Sequence, residues 1–148
     1  MRKGVIRSDI IRTKIKEMEE SIRLVEEHLP DTFEEFSDLG LIKDGIYKRV
    51  EFAIETVFDI CAIINTDLEL GIPSEDEDII ANLVKNKILS GEMREKLKAM
   101  RGFRNIVVHR YGGIDDMITF EILKGNLLDF YAFIEMTEES LAHENRSE

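Results

Sequence analysis

Apolar residues recur at steps of three and four along most of this chain, which is the spacing of one face of an α-helix. The first such stripe follows Ser8, ends before Pro30 and comprises Ile11, Ile15, Met18, Ile22, Val25 and Leu29. The short β-branched run Ile106-Val107-Val108 is too closely flanked by helical patterns to carry a sheet. The sequence therefore predicts an all-α fold.

Four further helices are predicted from the same spacing, separated by glycine, proline and serine. They run from about Gly45 to Leu68, from Ser74, from about Glu92, and from about Asp115 to Leu141. Ser74 and Glu77 have the spacing of a capping box. Phe33 and Phe36, three residues apart in an acidic connector, indicate an extra turn of helix packed on the core. We expect an up-and-down bundle of about five helices.

The length of 148 residues suits a single domain, and neither an internal repeat nor a low-complexity linker divides the chain. We therefore expect one domain over residues 1–148, with residues 143–148 frayed. The single cysteine, Cys61, lies in an apolar helical pattern and is interpreted as a small buried hydrophobe. With no signal-like segment and no apolar run of roughly 18 residues, we expect a cytoplasmic protein that does not enter a membrane.

Acidic residues outnumber basic ones, and the net charge of −11 opposes binding of nucleic acid unless positive charge is concentrated locally. Such a concentration lies between Lys85 and Arg110, where the acids are Glu92 and Glu95. The basic residues there are Lys85, Lys87, Arg94, Lys96, Lys98, Arg101, Arg104 and Arg110. A surface that binds a polyanion and a solvated helix face balanced by acids elsewhere both fit this pattern.

The segment from Arg104 to Tyr111 combines a permanent cation with a side chain that titrates near neutrality, His109. On an ideal helix Arg104 and His109 would project about 140° apart, whereas Asn105 and His109 would share a face. Arg104 and His109 could converge through a loosened helix end or across a two-fold axis between two copies. Spacing alone also fits a structural histidine and arginines paired with surface acids.

Metal-free RNA cleavage needs a base for the 2′-hydroxyl proton and an acid for the leaving oxygen, and two copies of His109 would supply both. Arg104 would supply the cation that stabilises the phosphorane. Neither a metal nor a cofactor is expected, because His28, His109 and His143 lie far apart and the chain has no phosphate loop.

The stretch RGFRNIVVHRYGGID resembles the signature of the HepT-like family within the HEPN domains, which is Arg, four to six residues, His, any residue and Tyr. Arg104, His109 and Tyr111 fall on that signature. GIYKRVEFAIETVFDICAII resembles the second helix of the family, and LSGEMREKLKAM resembles the approach to its motif. The resemblance covers about residues 5 to 141.

The resemblance implies a HEPN-like helical bundle that forms a homodimer and acts as a metal-independent endoribonuclease toxin of a type VII toxin–antitoxin system. Arg104 and His109 would be catalytic. The partner would be an MntA-like minimal nucleotidyltransferase antitoxin, which neutralises the toxin by transferring AMP onto Tyr111.

Three further residues beside the motif, Asn105, Arg101 and Arg110, are candidates for binding RNA or orienting His109. Glu55 and Asp59 on the central helix could hold Arg104 or His109, although exposure to solvent is the simpler interpretation. A rival function for such domains is a non-catalytic nucleotide- or substrate-binding subunit of a minimal nucleotidyltransferase.

Overall fold

The computed structural model describes residues 4–108 and 115–146, which form helices and contain no strand. The helices are α1 (Ser8–His28), α2 (Phe33–Ser37), α3 (Leu41–Asp67), α4 (Asp76–Lys85), α5 (Gly91–Val108), α6 (Asp116–Asn126) and α7 (Leu128–Arg146). The all-α prediction is confirmed. The predicted homodimer stays a prediction.

Helix α3 is the central element of the fold, because α1, α4 and α5 all pack against it. Its buried apolar residues run from Ile46 to Ile64. The stripe predicted for α1 is also buried, from Ile11 to Val25. Helix α7 packs on α1 and α6, and the hydroxyl of Tyr131 donates to Glu26 Oε1 over 2.7 Å. The core therefore lies around α3.

The predicted fifth helix is two helices, because α6 ends at Asn126 and α7 begins at Leu128. Gly125 precedes the break, and glycine is a poor helix former. With the short α2 added, the described residues form seven helices instead of about five. Helix α7 extends to Arg146, and the fraying expected for residues 143–148 stays a prediction.

The capping box predicted at Ser74 does not form. Helix α4 begins after Glu75, and the main-chain N–H of Ser74 donates to Asp78 Oδ2 over 2.9 Å. Glu77, the expected second member of the box, binds Arg94 instead. The prediction was wrong because a distant arginine competes for the same carboxylate.

The first turn of α6 is fixed to the start of α3 by a polar cluster. Asp116 accepts hydrogen bonds from Lys43 Nζ over 2.8 Å and from the Tyr47 hydroxyl over 2.6 Å. Asp115 caps the helix by accepting from the main-chain N–H groups of Met117 and Ile118. The chain that follows residues 109–114 is therefore anchored to the central helix.

None of the helices in residues 4–108 and 115–146 is long and apolar enough to cross a membrane.

Candidate nucleic-acid interface

Helix α5 carries three arginines, Arg94, Arg101 and Arg104, that are each only partly exposed. Its buried side chains follow a helical stripe through Met93, Leu97, Met100, Phe103 and Val107. Arg94 and Arg101 flank this stripe, and Arg104 lies within it, four residues after Met100 and three before Val107. All three side chains contact α3 or α4.

The guanidinium of Arg104 is seated on an aromatic ring. Its Cζ lies 5.6 Å from the centroid of the Phe58 ring, and its Nη2 lies 4.0 Å from Asp76 Oδ2. The side chain is 24% exposed. Within the described residues it donates no hydrogen bond, since 4.0 Å is beyond hydrogen-bond range. The ring and the nearby charge orient the guanidinium, and no acceptor in the described part of the chain is hydrogen-bonded to its N–H groups.

Arg94 and Arg101 share one carboxylate, that of Glu77. Arg94 donates to Glu77 Oε1 through both Nε, over 3.1 Å, and Nη2. Arg101 Nη2 lies 4.0 Å from Glu77 Oε2, a buried atom that has no hydrogen-bond partner among the described residues. The Arg94 guanidinium is therefore hydrogen-bonded within the protein, whereas Arg101 has only an electrostatic contact with Glu77.

The basic window is partly balanced by acids that lie far away in sequence. Asp76 and Glu77 come from the first turn of α4, and Asp129 of α7 lies 3.5 Å from Lys96 Nζ. No local spacing signals their pairing with α5, because the helices meet only through tertiary packing.

Glu55 and Asp59 do not hold Arg104 in the structure. Both side chains face solvent, and Asp59, which is 62% exposed, lies 3.8 Å from Lys14 Nζ. The simpler interpretation made from the sequence is confirmed for both residues.

Cys61 is buried on α3. Burial is the main cause that raises the pKa of its thiol, and the negative charge of Asp76 adds to the shift. The sequence-based interpretation of Cys61 as a small buried hydrophobe is confirmed, and the thiol is no candidate nucleophile.

Asn105 is exposed on α5 beside Arg104. His109, Arg110 and Tyr111 lie outside the described residues, so their predicted roles stay predictions. Within residues 4–108 and 115–146, no group of three His, Cys, Asp or Glu side chains converges in a way that could hold a metal ion.

The sequence profile of the ribonuclease HepT-like family matches residues 18–137. The mRNA nuclease HepT of Shewanella oneidensis is 30% identical over 129 residues, which cover 87% of this chain and 96% of that protein.

Two solved structures share the fold, each with a TM-score of 0.79, 27% sequence identity and coverage of 88% of this chain and 98% of theirs. One is a mutant of an MntA–HepT toxin–antitoxin. The other is a tri-AMPylated Shewanella oneidensis HEPN toxin in complex with an MNT antitoxin. These similarities confirm the resemblance found in the sequence, including its enzyme class.

Proposed function

Because the chain belongs to the ribonuclease HepT-like family, we propose that it is a metal-independent endoribonuclease and the toxin of a type VII toxin–antitoxin pair. The substrate is RNA. The 2′-hydroxyl attacks the adjacent phosphorus, the bond to the 5′ oxygen breaks, and the products carry a cyclic phosphate and a 5′-hydroxyl. The structural observation that best supports this proposal is the contact between the Arg104 guanidinium and the Phe58 ring, which leaves Arg104 without a hydrogen bond to the described residues.

Arg104 stabilises the negative charge that develops on the phosphorane. Its guanidinium rests on Phe58, with N–H groups that make no hydrogen bond within the described residues. A cation held on a ring face loses little freedom when a phosphate arrives, and a preorganised charge stabilises a transition state most effectively. Arginine also matches two phosphate oxygens at once.

His109 transfers the protons. One copy accepts the proton of the 2′-hydroxyl, and a second copy, from the partner of a homodimer, donates a proton to the leaving oxygen. Two protomers are needed because each chain carries one such motif. The products leave the two histidines in exchanged protonation states, and exchange with water restores them.

Arg101 and Asn105 extend the RNA-binding surface along α5. Arg101 lies one turn before Arg104 and is held only by charge to Glu77, and Asn105 is exposed. Arg110 follows His109 directly and is assigned to the same surface. Their contribution is to phosphate contacts, which position the strand without reading its sequence.

The antitoxin is an MntA-like nucleotidyltransferase that transfers AMP from ATP onto the hydroxyl of Tyr111 and releases pyrophosphate. The adduct places a phosphate and a nucleoside two residues from His109. It would repel and obstruct RNA through its charge and bulk. The AMPylated toxin of Shewanella oneidensis in complex with its MNT antitoxin supports this part of the proposal.

The direct test is incubation of the purified protein with labelled RNA in EDTA. We expect cleavage that leaves cyclic phosphate ends, and a loss of about 10²-fold or more in rate for His109→Ala or Arg104→Ala. His28→Ala is the matched control, because His28 is exposed on α1 and lies outside the motif. Its cleavage rate should equal that of the wild type.

Two results would contradict the proposal. Cleavage that persists in His109→Ala would remove His109 from the mechanism. An unmodified, folded wild-type protein that cleaves no RNA would favour the nucleotide-binding subunit of a nucleotidyltransferase, and binding of ATP or AMP would then be the next measurement.

A further inference from the structure

Three arginines of α5 face two carboxylates of α4, but they are held in different ways. Arg94 donates two hydrogen bonds to Glu77. Arg104 lies 4.0 Å from Asp76, and Arg101 lies 4.0 Å from Glu77, distances at which charges attract without a hydrogen bond. Arg94 therefore fixes α4 against α5, while the other two contacts can be replaced at little cost.

The contact between Asp76 and Arg104 is the more open of the two. The side chain of Asp76 is 39% exposed, so its carboxylate can turn toward water. The Arg104 guanidinium does not need Asp76 to stay in place, because it also rests on the face of Phe58. Partly exposed ion pairs of this kind contribute little to stability. Asp76 therefore balances the charge of Arg104 without being required for its position.

We propose that the carboxylate of Asp76 is the resident counterion of Arg104 and that an RNA phosphate binds Arg104 by displacing it. This inference rests on the proposed function. Asp76 is then an affinity-determining residue of the RNA site, since each binding event must first separate it from Arg104.

Displacement has a distinct signature in the salt dependence of binding. A phosphate that binds a cationic site releases counterions, so affinity falls as salt rises. If Asp76 is freed in the same step, its carboxylate takes up a cation from solution and cancels part of that release. The wild-type protein should therefore show a shallower salt dependence than a variant that lacks the carboxylate.

The test uses the full chain carrying His109→Ala, so that a short oligoribonucleotide stays intact while its Kd is measured. In that background we compare Asp76→Asn with Glu75→Gln. Glu75 is the exposed residue before α4 and makes no capping bond with its side chain, so its substitution removes the same charge one residue away. Ionic strength of about 0.1 M limits long-range charge effects to about 10 Å.

We expect Asp76→Asn to tighten RNA binding about threefold to tenfold, and Glu75→Gln to change it less than about twofold. The slope of log Kd against log salt should steepen by up to about one in Asp76→Asn alone. Asp76→Ser, which also lacks the charge but keeps a hydroxyl at the helix start, should reproduce both effects. Thermal unfolding of each variant checks that the protein remains folded.

Several outcomes would overturn the inference. Weaker RNA binding by Asp76→Asn would show that the carboxylate positions Arg104 instead of competing for it. If Asp76→Asn and Glu75→Gln changed the Kd for RNA equally, the effect would come from net charge and not from displacement of Asp76. In both cases the ribonuclease proposal would survive, whereas a protein that binds no RNA in any of these forms would contradict the proposed function itself.

Discussion

At the scale of single residues, two buried threonines differ in whether their hydroxyl group has a hydrogen-bond partner. Thr56 on α3 donates its hydroxyl to the carbonyl oxygen of Phe52 over 2.9 Å. The hydroxyl oxygen of Thr137 on α7 is buried and has no hydrogen-bond partner among the described residues. A buried hydroxyl without a partner destabilises the fold, because it loses its water without replacement.

Thr137→Val should therefore raise the free energy of unfolding by about 1 kcal/mol, since valine keeps the shape and removes the hydroxyl. Thr56→Val is the matched control and should lower the free energy of unfolding by about 1 kcal/mol, because it removes a hydrogen bond that is made. Urea unfolding of the two variants measures both values. A decrease in the free energy of unfolding of Thr137→Val would mean that the Thr137 hydroxyl has a hydrogen-bond partner in solution.

At the scale of elements, the junction between α3 and α6 depends on the ionised form of Asp116. Burial is the largest influence on the pKa of this carboxyl and by itself raises it. The hydrogen bonds from Lys43 and Tyr47, together with the charge of Lys43, outweigh burial and lower the pKa below its ordinary value. The folded state therefore favours the carboxylate.

A lowered pKa in the folded state gives stability that is present above the unfolded-state pKa of about 4 and is lost as the pH falls through the folded-state value. Asp116→Asn should thus be less stable than the wild type near pH 7, and the difference should shrink below about pH 4. Thermal unfolding across this range measures the difference. Asp59→Asn, at an exposed residue, should show little effect at any pH.

If the stability of the wild type and that of Asp116→Asn change in parallel down to low pH, the ionised carboxylate of Asp116 is not what fixes α6 to α3. The same junction anchors the chain that follows residues 109–114. The stability of the protein and its cleavage of RNA can therefore both be measured in Asp116→Asn.

At the scale of the whole molecule, the proposed neutralisation depends on the hydroxyl of Tyr111. Tyr111→Phe removes the hydroxyl that would accept AMP and leaves Arg104 and His109 in place. We expect this variant to cleave RNA at the wild-type rate and to resist neutralisation by the nucleotidyltransferase with ATP. Toxicity on co-expression and the mass of the toxin after incubation measure the two effects.

Tyr131→Phe is the control for that experiment, because Tyr131 lies outside the motif and its hydroxyl donates to Glu26. It should be neutralised and modified as the wild type is. Normal neutralisation of Tyr111→Phe would show that the antitoxin acts through another residue or through binding alone.

The sequence determines which residues face the core, because the apolar stripes of α1, α3 and α5 are set by a periodicity local to each helix. It also determines the family and the candidate residues Arg104, His109 and Tyr111, since the motif is continuous along the chain. The break between α6 and α7 at Leu127 was missed, because a glycine inside an apolar stripe can be tolerated or not, depending on packing.

Only the tertiary structure decided what surrounds Arg104. Phe58, Asp76 and Arg104 come from three helices, and no local spacing brings an aromatic face and a carboxylate to one guanidinium. For the same reason Glu77 bonds to Arg94 instead of capping its own helix. Helix formation is local and follows from periodicity, whereas the charge around the site depends on which helix surfaces meet.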